Sequence, residues 1–310
     1  MKQFLLFVIF LAAAFCTAVV LMILFAGGLG ELLRWTGEAD SLLVTAVLAL
    51  GFSAAAFFFG IFTGDYSWVD RLWSTLPVAF VWYYAARGGF SLSLLITALL
   101  VTVWGCRLTW NFAMKGGYTG TEDYRWSILR GRITNPILWQ LFSLLFISLF
   151  QIGLFVLFTY PVRYIASFPH EGMPYLFIPA AMLGAICIAI ETIADNQQWR
   201  FQQAKHGPGD RAPARYREDI RRGFLTQGLF GVCRHPNYFG ELGFWWSVWL
   251  MALSFGGGPM ASGLFGPLAL TVLFIGSTIF TESLSAAKYP AYREYRKKVS
   301  PIIPWFPGRD

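Results

Sequence analysis

PILWQLFSLLFISLFQIGLFVLFTY, residues 136–160, runs for 25 residues without an Asp, Glu, Lys or Arg. As an α-helix it is roughly 37 Å long, more than the ~30 Å of a bilayer's hydrocarbon core. Segments of this kind recur along the chain. Eight stand out, at about 4–26, 41–62, 72–86, 91–110, 136–160, 174–194, 238–255 and 262–282. The third is the shortest and contains Pro77. Across 310 residues, 56% are hydrophobic and 13% are charged. A soluble domain carries about 25% charged residues, so this chain lacks the polar groups to cover a water-facing surface. Disorder, collagen-like structure and a disulfide scaffold are excluded on the same composition. The expectation is an all-α integral membrane protein with about eight (7–9) transmembrane helices, forming a single multi-helix membrane domain over 1–310.

The first apolar run is too long for a signal-peptide core, and no clean small-residue cleavage site follows it. Lys and Arg cluster in 111–135, in 195–235 and after 285, whereas 27–40, 161–173 and 256–261 are poor in them. With eight spans, all the basic segments and both termini fall on one side. The positive-inside rule makes that side cytoplasmic, which in a bacterium means the inner membrane. The net charge of +7 fits that rule, contact with anionic lipid, or an anionic cofactor held on the cytoplasmic face. Nothing resembles a nucleic-acid motif. Cys16, Cys106, Cys187 and Cys233 form no C-x-x-C pair, and His170, His206 and His235 lack ligand spacing, so no metal site is expected.

Charge inside hydrocarbon is costly, so ionisable residues at span ends carry the information. Glu191, Asp195, Gln198 and Gln202 share one helical face where the sixth span meets the basic loop. Arg234 and His235 precede Pro236, which suits the first turn of a helix. Free amides at such a start favour an anion. Asn237 and Glu241 lie one turn apart on that helix, with Glu241 already inside the apolar run. Tyr289, Tyr292 and Tyr295 recur at spacing three near the C-terminus, after Glu282. Two further acid-rich segments, Asp65 to Ser74 and Glu122 to Trp126, offer groups for general-acid chemistry. Residues 207–212 match G-x-G-x-x-A formally, but no strand precedes them, so the dinucleotide-binding context is missing.

LTQGLFGVCRHPNYFGE (225–241) resembles the signature of the membrane reductases that include steroid 5-alpha-reductases and sterol reductases. Within them the chain is most similar to the DUF1295 (UstE-like) branch. KYPAYREY (288–295) to Val299, then Ile303-Pro304, and ADNQQWRF (194–201), are similar to other signatures of the same group. Asp70 to Ser74 and Glu122 to Trp126 resemble the DUF1295 branch in particular. The match is dense over roughly 190–305 and absent from Met1 to Gly64.

The resemblance implies NADPH-dependent reduction of a polarised C=C bond in a hydrophobic, steroid- or isoprenoid-like substrate drawn from the bilayer. It makes 136–310 the NADPH-binding half and 1–135 the substrate side. By position, Asp195, Gln198, Trp199, Phe201, Leu225, Phe230, Arg234, His235, Asn237, Tyr238, Glu241, Glu282, Tyr292 and Tyr295 would line the cofactor. Asn237 would hold the nicotinamide amide, Glu241 would support it, and Arg234 with cations of the 200–222 loop would meet the phosphates. Gln198 and Gln202 stand where sterol reductases carry Lys and Arg, leaving Arg200 or Lys205 for a 2′-phosphate. The match assigns no proton donor. Asp70, Glu122 and Tyr124, backed by Asp123 and Tyr66, are the expected acid and its support. Isoprenylcysteine carboxyl methyltransferases share the Arg-His-Pro pattern, so an S-adenosylmethionine-dependent methyltransferase is the alternative. A transporter would be expected to show repeated halves, and none is visible.

Overall fold

The computed structural model describes residues 2–120, 122–207 and 213–305. Positions 208–212 of the G-x-G-x-x-A match lie outside the described residues. Among those described there is no strand, and the chain is helical throughout, in order α1 (Lys2–Ala26), α2 (Leu29–Glu38), α3 (Ser41–Thr63), α4 (Leu76–Arg87), α5 (Leu92–Met114), α6 (Tyr124–Arg132), α7 (Pro136–Phe142), α8 (Gln151–Ile165), α9 (Phe177–His206), α10 (Arg217–Arg222), α11 (Pro236–Leu253), α12 (Gly258–Ala261), α13 (Phe265–Lys288) and α14 (Tyr292–Lys298). A π-helical segment, Ser143–Phe150, joins α7 to α8.

Six helical stretches are long and apolar enough to cross a membrane: Leu6–Leu24, Ser41–Thr63, Leu92–Met114, Pro136–Ile165, Phe177–His206 and Phe265–Lys288. The protein is therefore a multi-pass membrane protein. Two of the eight expected spans fall short. The sequence's third span shrinks to the 12-residue α4, because Asp70–Leu72 forms a 3-10 turn before it and Pro77 sits in its first turn. Twelve residues reach only about 18 Å. The seventh becomes α11, 18 residues long and carrying Glu241.

The chain divides into two compact units: Met1–Pro174 with Ala252–Gly266, and Tyr175–Met251 with Pro267–Asp310. The first division lies at 174/175, and α8 packs on α3 and α4 within the first unit. In the first unit, α1 crosses α3 closely enough that a Cβ on Gly51 would lie 2.6 Å from the Ala18 backbone. Small residues of this kind let helices approach in lipid, where packing rather than water exclusion holds them together. Asp40 caps α3 by accepting from the Leu42 amide at 2.7 Å, and the hydroxyls of Thr45 and Tyr84 meet at 2.8 Å to fasten α3 to α4. Asn135 caps α7 and Pro136 follows it, as the capping rules lead one to expect. The π-helical turn directs the Ser148 carbonyl toward the Ser53 hydroxyl on α3 at 3.3 Å.

In the second unit α9 and α11 meet through small residues. A Cβ on Gly240 would lie 2.8 Å from both the Cys187 carbonyl and Glu191 Cβ, and one on Gly184 would lie 2.6 Å from Ser247 Oγ. Tyr238 packs edge-on against Phe274, 4.8 Å between centroids, and the Trp246 indole donates to Thr271 Oγ1 at 3.1 Å, which ties α11 to α13.

Candidate functional site

Two polar clusters stand out, one in each unit. In the second unit the cluster is built around Glu282, buried near the end of α13. Arg234 grips it through two nitrogens, Nε at 2.6 Å and Nη2 at 3.1 Å. His235 Nε2 lies 3.1 Å and Arg296 Nε 3.1 Å from the same carboxylate. One carboxylate thus faces three cation-forming side chains, and the bidentate arginine is the strongest of these contacts. The third arginine nitrogen, Nη1, donates to the carbonyls of Arg296, at 2.8 Å, and Val299. The backbone continues the bracing: the Arg234 amide donates to Ser300 O at 2.8 Å and the His235 amide to Pro301 O at 3.0 Å. The C-terminal segment is thereby strapped across the turn that starts α11. Cys233 is buried in that strap, donates to Ile302 O at 2.9 Å, and burial pushes its thiol up to about 11, so it is inert.

This geometry changes the part expected of Arg234. It sits 9% exposed with its donors directed at Glu282 and two carbonyls, and it acts as a strut for the helix start. Lys205 is likewise occupied: its ammonium donates to Gly223 O at 2.7 Å and to the Tyr289 hydroxyl at 3.0 Å. Arg296 remains about half-exposed beside Glu282, and Arg200 is exposed.

The other expected residues separate into two groups. Phe201, Leu225 and Phe230 form one buried apolar cluster with Ala194 and Tyr216. Tyr292 and Tyr295 pack against Phe224 at 5.0 and 5.3 Å, and the Tyr295 hydroxyl donates to Phe230 O at 2.5 Å. Burial raises the pKa of both phenols, so they stay neutral. These five residues build the wall. The second group is polar or only partly covered. Glu241 is buried and accepts from the Trp245 indole at 3.1 Å, and Asp195 is buried on α9. His235 stacks on Tyr238 with the rings 16° from parallel. Gln198, Trp199 and Asn237 are half-buried. Among the described residues the Asn237 carboxamide makes no hydrogen bond. An unengaged amide thus stands one turn before a buried carboxylate.

Some contacts of this unit were not visible in the sequence. Asp219 is buried and accepts from the Thr226 hydroxyl at 2.6 Å and its amide at 3.2 Å, fixing the turn ahead of the Arg-His-Pro motif. Gln197 accepts from the Leu229 amide at 3.0 Å, and Gly228, at φ +62°, lies so close that a Cβ would be 2.6 Å from that side chain. The Leu-Thr-Gln-Gly lead was the available signal: only glycine fits there.

In the first unit the structure brings together four of the five residues expected to supply acid chemistry. Asp123 caps α6 by accepting from the Arg125 amide at 2.9 Å and also holds the Arg125 guanidinium. Its own amide donates to Ser67 Oγ at 2.8 Å. Asp70 accepts from the Trp126 indole at 2.6 Å, with Arg125 3.8 Å away. Burial is the largest influence on Asp70 and raises its pKa; Arg125 opposes it and Asp123 adds to it, leaving the carboxyl pushed up to about 6. Glu122 accepts from the Tyr66 amide at 3.0 Å and from Arg130 at 2.7 Å. Tyr124 stands apart, 54% exposed. A buried carboxyl that keeps its proton near pH 6 is suited to proton donation.

Comparison with known proteins follows the same lines. A family model described as "Protein of unknown function (DUF1295)" matches residues 56–299. The "Uncharacterized protein C594.04c" of Schizosaccharomyces pombe is 36% identical over 260 residues, covering 80% of this chain and 75% of that protein. No solved structure matches.

Proposed function

The chain belongs to the DUF1295 family, and from that premise we propose that it is a membrane enzyme reducing a polarised C=C bond of a hydrophobic, steroid- or isoprenoid-like substrate with NADPH. The observation that carries the reading is the half-buried Asn237 carboxamide, free of partners among the described residues, one turn before buried Glu241 and next to the braced Arg234–Glu282 turn. A nicotinamide bears a carboxamide of its own, and two amides pair by donating and accepting at once. When bound, the dinucleotide supplies the hydride, and its oxidised form leaves.

This chain's residues do the rest. Asn237 would hold the ring through its carboxamide, with Glu241 one turn on as its support. Arg296 and Arg200 would meet phosphate oxygens, with the buried strut holding the helix start in place. In the first unit Asp70 is the residue with a proton to give; one proton together with one hydride would turn a C=C bond into C–C with two new C–H bonds. Arg125 and Trp126 hold Asp70 still. In the bilayer we place both termini, the basic segments and the dinucleotide site on the cytoplasmic side, and in a bacterium that membrane is the inner one.

The test uses membranes containing the chain, a total lipid extract and either NADPH tritiated at both C4 positions or S-adenosylmethionine labelled on its methyl group. Tritium from NADPH in an organic-phase product, absent with Asn237→Ala, is the expected result. Methyl label in that phase with no tritium identifies a methyltransferase instead.

A further inference from the structure

Buried polar atoms that lack partners gather at one corner of the first unit. Trp139, on α7, is 4% exposed, yet its indole Nε1–H has no hydrogen-bond partner. The amide oxygen of its neighbour Gln140 is also buried and unpartnered. Both residues touch Tyr66. The Trp139 and Tyr66 rings meet edge to face with centroids 5.0 Å apart, and Gln140 Nε2 donates to the Tyr66 hydroxyl at 2.9 Å. Since that hydroxyl acts as acceptor toward Gln140, its own hydrogen has no acceptor among the described residues. The corner is held rigidly. Glu122 binds the Tyr66 amide, and the Arg130 guanidinium paired with Glu122 lies over both rings, 5.5 Å from Tyr66 and 5.9 Å from Trp139.

The unmet groups are two donors and one acceptor. Leaving such groups buried and unpaired is costly, so they are seldom kept without a use. Their complement is a group with two lone pairs and one O–H, which is an alcohol hydroxyl. A carbonyl or an ether oxygen would leave the Gln140 oxygen unmet. Directly beyond the corner runs an apolar strip. Trp139, Phe142, Phe146 and Phe150 follow one another with centroids 5.8, 5.1 and 5.4 Å apart, and the π-helical turn aligns the last three rings within 20°. Segments of π-helix are often retained at functional sites.

We propose that the Tyr66–Trp139–Gln140 corner binds the hydroxyl end of a lipophilic alcohol whose apolar body lies along the Phe142–Phe146–Phe150 strip. This rests on the reductase reading in one respect: it takes the first unit as the substrate's side, and it narrows the substrate to one that carries a hydroxyl.

The experiment uses the full chain in lipid nanodiscs without nucleotide. Binding of tritiated farnesol is measured, with its methyl ether and the corresponding aldehyde as competitors and empty nanodiscs as the partition control. The alcohol is expected to bind about tenfold more tightly than the ether or aldehyde, the worth of one neutral hydrogen bond. Trp139→Phe keeps the ring contact and removes the N–H, and it should weaken alcohol and ether alike by about tenfold. Equal affinity of alcohol, ether and aldehyde for the wild-type chain overturns the proposal, as does unchanged alcohol affinity in folded Trp139→Phe. The wild-type comparison stands even if the variant fails to fold. Because no nucleotide is present, failure here leaves the dinucleotide site to its own assay, and failure of NADPH binding leaves the alcohol result intact.

Discussion

Replacing Asp70 with Asn should make the folded protein more stable at neutral pH while removing the proposed proton donor. The folded-state value of about 6 lies above the ordinary 3.8. Between these values the folded chain retains a proton that the unfolded chain has released. By linkage, stability falls as pH rises through that window and is level above it. A displacement of roughly two pH units corresponds to about 2–3 kcal/mol. Asn keeps an oxygen to accept from the Trp126 indole and carries no charge. Asp70→Asn should therefore match the wild type near pH 4 and exceed it by up to about 2–3 kcal/mol at pH 7.5. Unfolding in bicelles by added SDS, followed by tryptophan fluorescence at several pH values, measures this. A variant less stable than wild type at pH 7.5, or one with the same pH slope over 4–6, refutes the reasoning. Stability gained where turnover is lost is the usual mark of a strained functional group.

Glu282→Gln leaves Arg234 buried without its counter-charge, and the loss should be about 3–5 kcal/mol; earlier thermal unfolding, with proteolysis of the strap after Lys298, is the measurable consequence. Gly240→Ala forces a Cβ to within 2.8 Å of the α9 backbone and should lower stability by about 1–3 kcal/mol. Gly153→Ala, also in a helix but where nothing lies within 4 Å, serves as the control in the same melt and should hold stability or raise it by up to about 1 kcal/mol.

Hydropathy disclosed the helices because a bilayer accepts little else, whereas the Asn135-Pro136 cap emerged only from the structure. The two short helices were harder. An apolar run at 72–86 looks like a span until Asp70–Leu72 winds as a 3-10 turn and takes residues from its start. The Arg-His-Pro motif was visible as a site, whereas the duty of Arg234 was not, since its partner Glu282 lies 48 residues on and its other acceptors are backbone carbonyls that a sequence cannot display. Spacing placed Tyr289, Tyr292 and Tyr295 on one face but could not say that Lys205 and Phe230 O would engage two of their hydroxyls. The Trp139–Gln140 corner escaped notice for a related reason. An unmet hydrogen bond is a property of packing, and in a row of apolar residues an indole and an amide look like filler.

Equilibrium binding of NADPH to the purified chain in detergent, read by nucleotide fluorescence, bears most directly on the proposed dinucleotide site. Saturable binding by the wild type, lost in folded Asn237→Ala and in folded Glu241→Gln, is the predicted result. Wild-type protein that does not bind NADPH, or variants that bind it as tightly as the wild type, would contradict the account.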